Sequence, residues 1–366
     1  MSKYMLWNLS VKARIPWLRR GDGRLQWRRM SRKAWIQIAK IGVSIAFFAL
    51  IFQVIGKEEL RMLASQVNPA FVSLSVALSF AMVLVSCLKW QVLLGKDAPV
   101  VPFPRLFRYY LIGYYFTCLL PSNVGGDIVR SYYAGREIRD QGRAAVSVFL
   151  ERFTGLVLLL LLVAVAPALD VRLFRIPAIY IPAVGAAGLL FTLFLLSRIR
   201  QPLKFFARFG GDITDPSGIG GRLERIRAGF AGLSHKLKKG LHALRRNPGV
   251  LSRVVFLTVA FYLLTWINVY VSFRAFGISP EFAGIVAVLP AAMMIAMIPI
   301  APLAGLGLSE FSYVFYFGLI GIDSEASLAM GLLLRAKLLL LGLLGFLCHV
   351  SFDDRVERYD EFRARP

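Results

Sequence analysis

Long apolar runs alternate with short polar ones from Trp35 to Val350. A membrane-crossing helix needs about 20 predominantly apolar residues. Six runs meet that length and are read as full spans: Trp35–Ile55, Phe71–Leu94, Ala144–Leu169, Pro177–Ser197, Val254–Phe276 and Leu328–Val350. Four further segments are too short to cross alone: Arg105–Leu120, Ile128–Arg143, Phe282–Ile298 and Phe311–Ile320. Between the members of each short pair the pattern breaks. The first break lies in LLPSNVGGDIVR (Leu119–Arg130) and the second is PLAGLGLSE (Pro302–Glu310). Helix-breaking backbone at membrane depth is tolerated only where protein or a wet cavity surrounds it. A matched pair of breaks, one per half, points to a transporter-like binding site. The expected fold is therefore all-α: a polytopic membrane protein with about six full spans and two broken re-entrant hairpins arranged as an inverted repeat.

Composition supports this reading. Of 366 residues, 57% are hydrophobic, and mean hydropathy is +0.62, too apolar for an ordinary soluble domain. The formal charge of +23, from 44 Lys+Arg against 21 Asp+Glu, would suggest nucleic acid in a soluble chain. Here the cations fall in alternate links, with 34 in parts assigned to the cytoplasm and five in parts assigned outside. That is the positive-inside pattern, and it places both termini on the cytoplasmic side, with no nucleic-acid partner expected.

The organisation read from the chain is a basic cytoplasmic arm, 1–34, a transmembrane domain, 35–350, and a cytoplasmic tail, 351–366. The repeat halves run about 71–197 and 252–350. Between them, 198–253 carries 13 Lys/Arg and an apolar stripe at spacings of three and four, from Leu223 to Leu244. That is the signature of a basic amphipathic helix.

Charges inside apolar sequence are the candidate chemistry: Lys89, Glu151, Arg152, Arg335 and Lys337, with Asp127 and Glu310 at the breaks. Each would cost about 2.5–3.5 kcal/mol at the bilayer centre on insertion scales, so each must pair, meet water or bind a charged ligand. Asp127 precedes Arg152 by 25 residues, and Glu310 precedes Arg335 by 25. Both acids sit on a Gly-rich break that starts a half-helix. Free N–H groups at such an end attract anions, and the acid itself would serve as a cap. Gly125, Gly126, Gly305 and Gly307 would permit positive φ and close backbone approach. The candidate substrate-binding residues are Asn123, Gly125, Gly126, Asp127, Arg130, Glu151, Arg152, Gly305, Gly307, Glu310, Arg335 and Lys337.

Other chemistry finds no support. There is no P-loop, no H-E-x-x-H and no G-x-S-x-G. The three His (235, 242 and 349) and three Cys (87, 118 and 348) form no motif, so no metal, cofactor, disulfide or catalytic residue is assigned.

LLPSNVGGDIVRSYY, FLERFTGLVLLLL and PLAGLGLSEFSYVFYFGLIG, in that order, resemble the lysylphosphatidylglycerol synthase transmembrane family. That family includes the flippase half of bacterial multiple peptide resistance proteins. By this resemblance Pro121, Gly125, Gly126, Asp127, Arg130, Glu151, Arg152, Gly305, Gly307 and Glu310 occupy the family's motif positions. The resemblance implies translocation of a modified or phosphate-bearing lipid. Bifunctional members add a soluble aminoacyl-transfer domain. About 16 residues follow the last span here, so lysyl transfer is not expected.

The expected function is an inner-membrane lipid transporter or flippase that binds an anionic or phosphate-bearing headgroup at a midplane site between the hairpins. The expected partners are membrane lipids: an anionic phospholipid, a polyprenyl phosphate or a modified lipid. A homo-oligomer or a biosynthetic enzyme is left open as protein partner. The alternatives are a membrane-embedded transferase, with Asp127 or Glu151 as base, and an accessory factor in lipid, hopanoid or glycolipid biosynthesis.

Overall fold

The computed structural model describes residues 67–95, 101–119, 124–169, 176–198, 247–297 and 307–363. The basic arm, the first expected span and 199–246 of the amphipathic segment lie outside the described residues, as do Asn123 and Gly305.

All regular structure among the described residues is helical. The first half holds α1 (Pro69–Leu94), α2 (Phe103–Leu119), α3 (Gly125–Ile138) and α4 (Gln141–Val165), the last continued by a 3₁₀ turn, Ala166–Leu169. A linking helix follows, α5 (Pro177–Arg198). The second half holds α6 (Pro248–Arg274), α7 (Phe282–Ala296), α8 (Leu308–Gly318) and α9 (Ser324–Arg363). Four of these are long and apolar enough to cross a bilayer: Pro69–Leu94, Gln141–Leu169, Pro248–Arg274 and Ser324–Ser351. α5 is apolar over Pro177–Thr192, and α7 is a shorter apolar helix.

Local chemistry sets the ends. Asn68 accepts from the Ala70 N–H and Asn247 from the Val250 N–H, and each is followed by a proline that needs no partner for its nitrogen. Asp140 accepts from the Arg143 N–H and starts α4. One expectation is corrected here. Ile128–Arg143 is not a single helix: Arg139 turns left-handed at φ 57° and closes α3, and Asp140 caps the next helix. The last helix also runs past Val350, to Arg363.

The order of elements occurs twice. α6 begins at Pro248 and α7 at Phe282, each 179 residues after its counterpart (Pro69 and Phe103). α8 at Leu308 and α9 at Ser324 follow Gly125 and Gln141 by 183. The four-residue difference falls inside the breaks. The residue types at the helix starts repeat with it: Asn68 and Asn247 stand before the prolines, and Asp140 and Asp323 stand before α4 and α9. Each half also has its own core. One gathers Val83, Cys87, Trp90, Leu106, Ile112 and Ala134. The other gathers Phe273, Ile285, Val288, Leu289, Tyr316 and Met330.

The halves meet along α1 with α6 and α2 with α9, and α4 also packs on α7. At the α2–α9 contact Gly345 presses on the backbone, and a Cβ there would overlap the carbonyl oxygen of Leu111. Gly345→Ala is therefore expected to cost about 1–3 kcal/mol, the usual size for overpacking a tight contact. A lower midpoint for thermal unfolding in detergent would show it, and an unchanged midpoint would contradict it.

Candidate functional site

Asp127 occupies the first turn of α3, one residue past the closest approach between α3 and α2. Gly126 permits that approach, because a Cβ there would overlap the Gly113 carbonyl oxygen and Thr117 Oγ1. Gly126 is an ordinary helical residue. Its role is space, and the positive φ expected at the first break is found only at the second, at Gly307 (φ 85°).

The Asp127 carboxylate receives two guanidinium groups. Arg152, 25 residues on in α4, donates from Nε to Oδ2 and from Nη2 to Oδ1, both at 2.9 Å. Arg130, one turn along α3, donates from Nε to Oδ1 at 3.0 Å. Asp127 caps nothing, which differs from the expectation. Val124, at the N-cap, offers no side-chain cap of its own, and the carboxylate is committed to the two arginines.

Arg130 is buried and central. Its Nη1 meets Glu151 Oε2 at 2.6 Å, and its guanidinium lies 4.4 Å from the Tyr110 ring centroid and 5.1 Å from that of Trp90. The positive charge is thus spread over two aromatic faces as well as two carboxylates. Its Nη2 lies 2.9 Å from Asp127 Oδ1 but is not aligned to donate, and it makes no hydrogen bond. Glu151 also accepts from Tyr110 Oη at 2.7 Å, and its backbone carbonyl accepts from Lys89 Nζ at 3.0 Å. Adjacent positions on α4 point apart, so Glu151 is buried while Arg152 is turned outward, its side chain 57% exposed.

The second half repeats the pairing in a closed form. Arg335 donates from Nε and Nη2 to Glu310 Oε1, at 3.0 and 2.8 Å. Glu310 Oε2 accepts from the Gly307 N–H at 2.8 Å and from Ser309 Oγ at 3.0 Å. Glu310 does cap its helix, as expected. Arg335 Nη2 also donates to Ser309 Oγ. Here both partners are covered, Glu310 at 1% and Arg335 at 12% exposure.

The two pairs flank the end of α2. Thr117 faces Gly126, while Cys118 lies against Gly342 and the Leu338 carbonyl of α9.

Lys337 is placed elsewhere. It is buried and donates to Asn268 Oδ1 at 2.8 Å and Ser272 Oγ at 3.0 Å, and Asn268 in turn donates to Ser79. This cluster ties α9 to α6 and α1. It is the counterpart of the Lys89 contact. Lys89 and Asn268 each stand 20 residues past the proline that starts their helix, and Thr154 and Lys337 each stand two past the paired arginine. The lysine comes from α1 in one half and from α9 in the other. Trp90 and Tyr110, which complete the Arg130 cage, carry no sequence signal of their own.

The model of the lysylphosphatidylglycerol synthase TM region matches residues 37–345. The chain belongs to that family. Two curated relatives, both described as UPF0104 membrane proteins of Methanothermobacter thermautotrophicus, align over most of its length. One is 23% identical over 313 residues, covering 79% of this chain and 87% of the relative. The other is 24% identical over 332 residues, covering 82% and 87%. The chain is thus a multi-pass membrane protein of this family, and both acid–arginine pairs fall inside the matched region.

Proposed function

We propose that the chain is a lipid transporter of the flippase type, set in a bacterial inner membrane with both termini cytoplasmic. In this reading it binds an anionic or phosphate-bearing headgroup at a midplane site. The observation that carries the reading is the charge balance of the first-half cluster. Lys89, Arg130 and Arg152 face two carboxylates, Asp127 and Glu151, leaving one cation in excess. One guanidinium is exposed and one buried donor is unused. At the start of α3, where free N–H groups add to the positive potential, an arriving phosphate would complete both.

The duplicated order of helices supports the wider architecture. In it the two broken hairpins, α2–α3 and α7–α8, enter from opposite faces as an inverted repeat. The contacts fit a two-fold relation: α1 on α6 maps onto itself, and α2 on α9 exchanges with α7 on α4. The broken segments then face one polar chamber, and transport proceeds by rocking one half on the other. The basic links set the orientation.

The test is a reconstituted vesicle assay with fluorescent phosphatidylglycerol and phosphatidylcholine. Wild-type protein is expected to move phosphatidylglycerol in preference. Arg152→Ala should lower that rate by roughly 10- to 100-fold, the value of a charge-assisted hydrogen bond made to the headgroup. Movement without headgroup preference, or a full rate in Arg152→Ala, would overturn the proposal.

A further inference from the structure

A groove of about 470 Å³ lies on the outer face of the α2–α9 contact, away from both ion-pair clusters. Its size is in the range of roughly 300–1,000 Å³ found for small-molecule sites. Leu344, Leu347, Cys348 and Ser351 form one side, at the spacing of a single face of α9. Phe107, Arg108 and Leu111 of α2 form the other, and Phe80 closes it from the middle of α1. Polarity is graded along its length. Arg108 and Ser351 sit where the apolar sequence ends, close to Arg105 on α2 and to the charged run that begins at Asp353. Phe80, Leu111 and Leu344 lie deeper. Arg108 is exposed, with no hydrogen bond or ion pair among the described residues, in contrast to Arg105, which is paired with Glu137.

An apolar slot with one unpaired cation at its polar lip has the form of a lipid. We propose that this groove is a binding site for an anionic membrane phospholipid, with an acyl chain against Phe80, Leu111 and Leu344 and the phosphate on Arg108. Basic pockets between transmembrane helices at the membrane surface favour such headgroups. The site is separate from the proposed transport site. Its walls come from both halves, α1 and α2 from the first and α9 from the second, so a bound lipid would wedge the joint that Gly345 makes tight.

The experiment is native mass spectrometry of protein exchanged into nanodiscs of equal parts phosphatidylglycerol and phosphatidylcholine. Wild-type protein is expected to retain phosphatidylglycerol. Arg108→Ala breaks no hydrogen bond or ion pair among the described residues and should reduce the retained lipid about fivefold, the contribution of one basic residue near a charged surface. Leu344→Trp should fill the slot and remove the lipid. Arg152→Ala should retain it. Equal retention of the two lipids by wild-type protein, or unchanged phosphatidylglycerol in Arg108→Ala, would overturn the inference. So would displacement by free glycerol phosphate, or loss in Arg152→Ala alone, which would move the lipid to the central cluster.

Discussion

Glu151→Ala is expected to destabilise the first half by about 3–5 kcal/mol, the cost of leaving a buried charge without its partner. The size follows from what Glu151 holds. Its carboxylate takes Arg130 Nη1 at 2.6 Å and Tyr110 Oη at 2.7 Å. Removing it strands the buried guanidinium, and Asp127, already shared with Arg152, is the one carboxylate left to Arg130. The aromatic faces of Trp90 and Tyr110 offset part of the cost but not all, since a cation–π contact is worth about 0.5–2 kcal/mol. Loss of monodisperse protein on heating in detergent measures the effect. A double variant, Arg130→Met with Glu151→Leu, should regain much of the loss, because replacing a whole buried pair by apolar side chains of similar size is often close to neutral. A melting temperature unchanged in Glu151→Ala would show that the cluster does not hold the fold together.

Four of the six expected spans were legible because run length is itself the physical signal in a bilayer; the first expected span lies outside the described residues. The two breaks were legible because proline and paired glycines interrupt otherwise apolar sequence. The 25-residue spacing placed each acid against the arginine that the structure gives it. The split at Arg139 was not legible, because a left-handed turn at a non-glycine residue leaves only the Asp140 cap as a trace, and the charges around it read as one polar helix. Arg130 was legible as a candidate binding residue, but its burial was not. Its depth depends on the half-helix folding back into the bundle, which composition does not encode. The cage of Trp90 and Tyr110 depends on the approach of α1 and α2 in space. Lys337 could have been separated from Arg335 by geometry alone, since two positions along a helix differ by about 200°. The recurring Asn–Pro pairs and the Asp before α4 and α9 were also present in the sequence. Each is an ordinary helix start alone, and the four-residue difference in the breaks conceals their common offset.

The two acid–arginine pairs should respond to the same substitution to very different degrees. Arg335→Ala is expected to cost about 3–5 kcal/mol, because it leaves Glu310 charged and covered on an apolar background. The carboxylate would keep the Gly307 N–H and the Ser309 hydroxyl, but neither carries a charge to balance it. Arg152→Ala is expected to cost less than Arg335→Ala, because Arg130 still serves Asp127 and no covered carboxylate is left alone. Yet the exposed pair is the one whose guanidinium, though held by Asp127, is open to a headgroup. Stability and transport should therefore separate. Melting should fall far in Arg335→Ala and less in Arg152→Ala. The rate per folded molecule should fall in Arg152→Ala. Arg335→Gln/Glu310→Gln, which removes both charges while keeping hydrogen-bonding groups, should restore most of the melting temperature. Equal melting losses in the two single variants would mean that the halves are equivalent, and that the open geometry at Arg152 does not mark a binding site.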